Sequence, residues 1–206
     1  MRNSITPLPG GRLRKEYRGT LAWKREITLL RQMAGSGLCP ELLDAPLREA
    51  EMTECPGVPL GECIRTASRQ EAREMMAALA AWTDAFEREY HRRTGQTAVL
   101  EDLSPGNFLW DAASRKITGL DFEFWHTGSP AENRGGLLCM AERLKAAEIT
   151  GEELTGELYR QFRGGSDRAE LEHRAARARQ QTALRERGTP LMRDTAGVIV
   201  GGGPPR

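Results

Sequence analysis

An α+β fold is predicted by three features of the sequence. Amphipathic helical segments surround Trp23–Ala34 and Met75–Phe86, short β-type runs gather near the start and across residues 97–125, and the last third is again helical. The 206 residues are 39% hydrophobic and 29% charged, a polar composition that can still bury a core as one domain or two very small ones.

The opening ITPLPGGRLRKEYRGT is a Pro/Gly turn leading into a short strand, with Leu13, Lys15 and Tyr17 on one face. LAWKREITLLRQMAGSG follows as a helix, because Trp23, Ile27, Leu30 and Ala34 recur at helical spacing, and Gly35 and Gly37 end it. LREAEMTECPGVPL reads as a short strand and a turn at Pro56–Gly57. A second helix starts after Ser68, buries Met75, Leu79, Trp82 and Phe86, and stops at Gly95. These Met and Trp residues read as core.

Residues 97–125 read as strand TAVL, loop EDLSPGN, strand FLWD, turn AASRK and strand ITGLDFEFW. Helices are expected from Asn133 to Ala147 and from Glu152 to Phe162. RAELEHRAARARQQTALRERG reads as a long, solvated, charged helix. TAGVIVGGGPPR reads as a disordered Gly/Pro tail.

Bulk composition excludes several functions. Lys plus Arg number 30 and Asp plus Glu 29, so no basic field favours nucleic acid or an anionic membrane. No apolar run approaches the roughly 20 residues of a membrane span. Cys39, Cys55, Cys63 and Cys139 form no C-x-x-C pair, which argues against zinc. Scattered cysteines without a signal peptide point to the cytoplasm.

The chemistry concentrates in LEDLSPGNFLWDAASRKITGLDFEFW. Asp102 and Asn107 fall on one loop, and Asp121 falls just past the next hairpin. Their oxygen-bearing side chains are expected to converge at one mouth. Hard cations such as Mg²⁺ want such ligands and commonly bridge phosphate oxygens, so a nucleotide is the companion expected. The competing structural reading is a β-hairpin whose Asp and Asn serve its turns.

D-x4-N, an apolar strand and then D-F-x resemble the catalytic core of protein-kinase-like phosphotransferases. The small-molecule branch is closest in pattern: aminoglycoside phosphotransferases, choline kinases and lipopolysaccharide-sugar kinases. The resemblance implies a protein-kinase-like fold with a reduced N-terminal lobe over residues 1–54 and a mainly helical catalytic lobe over 55–188. It implies ATP as cofactor, Mg²⁺ held by Asn107 and Asp121, and Asp102 as the base that positions or deprotonates the hydroxyl of a small-molecule acceptor. Lys15 on its strand and Glu26 on the following helix would align the phosphates, with Lys24 as a competitor for Lys15. Backbone groups of Thr53, Glu54 and Cys55 would meet adenine.

The sequence departs from the family pattern in three places. Leu100-Glu101 stands where a histidine and glycine usually precede the aspartate, and Glu101 is expected to point away from the site. About a dozen residues precede Lys15, and Gly10–Gly11 reads as a hairpin turn rather than a remnant of the phosphate loop. Residues 189–206 resemble the first strand and loop of sugar-phosphate and molybdenum-cofactor nucleotidyltransferases, which suggests such a domain as a partner. A catalytically degenerate, kinase-like regulatory module is therefore the alternative function. The acceptor is not specified, although Glu101, Glu123 and Glu132 could form an acidic patch for an aminoglycoside. His126 lies near the expected mouth, whereas His91 and His173 fall on charged helical stretches.

Overall fold

Gly10 and Gly11 adopt left-handed φ values of 78° and 66°, a conformation that glycine reaches without steric cost. They close a hairpin between β1 (Ser4–Leu8) and β2 (Arg12–Glu16), as the turn reading requires. The protein is seen as a computed structural model, which describes residues 3–162, 168–186, 191–193 and 199–201. β2 also pairs with β4 (Glu49–Thr53), and β4 with β3 (Leu42–Asp44), giving an antiparallel sheet of order β1-β2-β4-β3. Helix α1 (Thr20–Met33) is tied to it where Trp23 Nε1 donates to the Glu49 carbonyl at 2.9 Å.

The remainder is mostly helical. A two-residue strand, β5 (Val58–Pro59), follows the turn expected at Pro56–Gly57 and leads into α2 (Leu60–Thr66), a helix to which the sequence reading assigned no element. Helix α3 (Arg69–Thr94) has both signals expected of it. Ser68 and Glu71 form a reciprocal capping box, and Gly95 ends the helix at φ 71°. Its buried stripe of Met75, Leu79, Trp82 and Phe86 is the expected one.

Beyond α3, β6 (Ala98–Leu100) pairs with β9 (Trp125–Thr127), and β7 (Phe108–Asp111) pairs with β8 (Lys116–Gly119) and β5. The single strand expected over ITGLDFEFW is thus two strands in different sheets. Asp121, at φ 60°, breaks the run between them. Helix α4 (Pro130–Glu142) begins earlier and ends earlier than expected. A Ser129–Glu132 capping box with Pro130 in the first turn fixes its start.

Helix α5 (Gly151–Phe162) matches its reading, but α6 (Arg168–Glu186) is not simply solvated. Leu171 and Ala175 are buried. A Cβ on Gly135 would lie 2.4 Å from Arg174 Cβ, so the missing side chain lets α6 press against α4. In the tail, β10 (Leu191–Arg193) pairs with β11 (Ile199–Gly201) in a short antiparallel ladder. β-branched Ile199 and Val200 suit it. The rest of the nucleotidyltransferase-like segment lies outside the described residues. No helix among the described residues is long and apolar enough to cross a membrane.

Candidate active site

Strand alternation buries Lys15, and helix α1 brings Glu26 to it from the next element. Lys15 Nζ lies 2.6 Å from Glu26 Oε2, 2.7 Å from Asp121 Oδ1 and 2.8 Å from Glu123 Oε1. The Glu26 carboxylate also accepts the Phe122 N–H at 3.1 Å, which locks helix α1 to the segment that carries Asp121. The ring of Tyr17 lies 5.0 Å from the ammonium. Lys24, the competing lysine, is exposed on α1.

The ion cluster is closed on one side and open on the other. Lys15, Glu26 and Glu123 are buried, while the Asp121 side chain is 41% exposed and forms the open edge. Burial works against the Lys15 charge, but Glu26 and Asp121 outweigh it and hold the ammonium well above its ordinary pKa. Burial raises the Glu123 carboxyl above its usual range, and Lys15 pulls it the other way. Asn3 Nδ2 donates a second hydrogen bond to Glu123.

Hydrogen bonds tie the Asp102 loop to the Asp121 loop. Asp102 Oδ1 accepts the Ser104 N–H at 3.2 Å, and a single 3-10 turn, Pro105–Asn107, follows. Asn107 Nδ2 donates to the Asp102 carbonyl at 3.1 Å, and the Asn107 carbonyl accepts the Leu120 N–H at 2.7 Å. Asn107 is thereby oriented from one side by Asp102 and latched on the other to the residue before Asp121. Behind the loop, Asn133 of α4 grips β6. Its Oδ1 accepts the Leu100 N–H at 2.8 Å, and its Nδ2 donates to the Ala98 carbonyl at 2.9 Å and to Glu87 Oε1 at 3.2 Å.

The adenine-side expectation changes in detail. The Thr53 and Glu54 N–H groups are already engaged, donating to the carbonyls of Glu41 at 2.9 Å and Gly11 at 2.8 Å. The Cys55 N–H has no such partner among the described residues.

A cavity of about 450 Å³ opens beside Asp102, lined by the Asp102 loop, α4 and α6. Glu101 is among the residues that line it. His126 and Glu132 also face the cavity. Glu123 does not, because it is drawn beneath the loop by Lys15, so it cannot join an acidic patch for the acceptor. The sequence reading missed Glu123 as a partner of Lys15. Its one signal was a second carboxylate two residues after Asp121, inside the apolar run FEFW.

No protein-family model matches the chain, and no curated protein matches it. Solved structures do share its fold. The streptomycin–ATP complex of APH(2″)-IIa is 10% identical with a TM-score of 0.62, over 90% of this chain and 86% of that one. The ADP-bound aminoglycoside phosphotransferase APH(2″)-Ib is 11% identical with a TM-score of 0.56, over 90% and 82%. An ethanolamine kinase from Plasmodium vivax is 9% identical with a TM-score of 0.57, over 86% and 72%. At such identities the likeness is one of fold. The fold is the α+β, protein-kinase-like one seen in these small-molecule phosphotransferases, with a small N-terminal sheet and a helical remainder. These likenesses give no support to a nucleotidyltransferase reading of the tail or to such a partner.

Proposed function

We propose that the protein is an ATP- and Mg²⁺-dependent phosphotransferase acting on a hydroxyl of a small molecule. One observation carries this reading: Lys15 Nζ lies 2.6 Å from Glu26 on the next helix and 2.7 Å from Asp121, 106 residues away, beside the loop that holds Asp102 and Asn107. In the shared fold such a lysine aligns phosphates and the glutamate fixes the lysine.

Asp102 borders the cavity and is assigned as the base. It would take the hydroxyl proton as the acceptor oxygen bonds to the γ-phosphorus and the bond to the ADP oxygen breaks. Asn107 and Asp121 suit Mg²⁺. Both offer oxygen ligands, the Asn107 amide nitrogen is turned to the Asp102 carbonyl so that its oxygen is free, and the Asp121 carboxylate is partly exposed. When bound, the ion would neutralise charge on the phosphate oxygens. Adenine contact is assigned to the Cys55 N–H and the Glu54 carbonyl, with Thr53 supporting the turn. All four cysteines are free, which fits a reducing, cytoplasmic setting.

A second reading, a catalytically degenerate kinase-like binding module, is favoured by the tight turn at Gly10–Gly11, where β1 and β2 join without a long phosphate-covering loop. Measuring ADP release with MgATP across a panel of hydroxylated acceptors separates the two. The enzyme reading predicts acceptor-dependent turnover that drops about 10²-fold or more in Asp102→Asn, on the scale of a lost general base. MgATP binding without turnover for any acceptor supports the degenerate module.

A further inference from the structure

The cavity beside Asp102 has two unlike ends. The loop end carries Glu101 and Asp102, and the far wall is α6, which contributes Arg174 and Arg177, with Arg143 near the end of α4. Two carboxylates, Glu132 and Glu170, lie at ion-pair distance from Arg174 but form no hydrogen bond with it. Glu132 is held at the N-terminus of α4, where its side chain accepts the Ser129 N–H at 3.1 Å. It approaches Arg174 only to 3.8 Å, and Glu170 approaches it only to 3.7 Å, both too far for a hydrogen bond. The Arg174 Nε is buried with no hydrogen-bond partner. Arg177 forms no ion pair with any described residue. Leu103, Gly136, Met140 and Leu144 give the space between the ends an apolar floor.

A guanidinium pair facing a cavity without hydrogen-bonded carboxylates matches the fork geometry of a carboxylate or phosphate. We infer that the acceptor is an anionic hydroxy compound, placing its hydroxyl at Asp102 and its carboxylate or phosphate between Arg174 and Arg177. This rests on the phosphotransferase reading for the hydroxyl end, whereas the anion end stands on the cavity itself. A cationic acceptor such as an aminoglycoside or choline would meet the wrong charge at α6.

The test is a calorimetric titration of the full chain, without nucleotide, using three sets of matched probes: hydroxy-carboxylates such as glycerate, hydroxy-phosphates such as glycerol phosphate, and hydroxy-amines such as choline. At least one anionic set should bind more tightly than its neutral polyol counterpart, and whichever set binds identifies carboxylate or phosphate. Arg177→Ala should weaken that binding about tenfold or more, and Arg177→Lys should weaken it less, as loss of a charge-assisted hydrogen bond requires. A parallel melt of each variant shows that it folds. Preference for the hydroxy-amines, no preference for any anionic set, or unchanged affinity in a folded Arg177→Ala protein each overturns the inference. A parallel MgATP titration keeps the two readings apart. Anion binding without MgATP binding would remove the phosphotransferase but leave the basic wall intact.

Discussion

Lys15 is one cation among three carboxylates, and that imbalance gives it a structural role beside the one proposed for it. With Lys15→Met, Glu26, Asp121 and Glu123 lose their shared counter-charge while two of them stay buried. Breaking a buried pair this way costs about 3–5 kcal/mol. Burial already raises Glu123, and without Lys15 to pull it down this carboxyl keeps a proton in the folded state that it releases when unfolded, so the variant's stability falls as pH rises. The deficit relative to wild type should therefore be smaller at pH 5 than at pH 8 in denaturant melts; an equal deficit at both contradicts the cluster. Glu87 supplies a second pH effect. Burial lifts its carboxyl from an ordinary 4.5 to about 7, despite Arg134 and Asn133 beside it. Between those values the unfolded chain has lost a proton that the folded chain keeps, so stability declines with rising pH across that window, by about 3 kcal/mol in all. Glu87→Gln should flatten that decline, which urea melts at pH 4.5 and 7.5 would register. Asp102, Asn107 and Asp121 stood out by residue type and spacing, and Lys15 and Glu26 only through the resemblance to kinase-like phosphotransferases. Glu123 and Asn133 could not, because their importance comes from long-range hydrogen bonds that no local pattern encodes.

At the scale of elements, α3 is the platform beneath the site. Trp82 stacks on Phe86 at 5.0 Å, and Phe86 stacks on Phe122 at 5.8 Å, so the residue after Asp121 rests on this column. Phe86→Ala should cost about 3–5 kcal/mol and loosen the Asp121 loop, seen as a lower melting temperature with weakened MgATP binding. Gly119 is also constrained, since a Cβ there would sit 2.3 Å from the Trp82 ring, itself pinned by its indole N–H to the Leu38 carbonyl at 2.8 Å. Gly119→Ala should destabilise by about 1–3 kcal/mol through overpacking; an unchanged denaturation midpoint would show that the ring can move. Helix α3 was readable because its cap, stripe and terminal glycine all agree. Helix α2 was not, because seven residues after a Pro-Gly turn show too little periodicity. The break in ITGLDFEFW was hidden for a different reason: a left-handed aspartate inside a β-type run is imposed by the tertiary pull of Lys15 and Glu26, not by local propensity.

For the whole molecule, the small sheet supplies Lys15 and the helical part supplies the Asp102 loop and the cavity, with Glu26 and Asp121 joining them across the middle. The burial of α6 was invisible in a helix so rich in charge, because among its described residues only Leu171 and Ala175 are buried and the close approach at Ala175 needs Gly135 opposite. We propose that these parts together hold a metal-bound triphosphate. Calorimetric titration with MgATP, in wild type and in Asp121→Asn, tests it most directly. Saturable binding that needs Mg²⁺ and weakens about tenfold or more in the variant, the loss expected when a charged ligand contact is removed, is the predicted result. Absence of MgATP binding by the folded wild-type chain, or equal affinity with and without the Asp121 carboxylate, would contradict it.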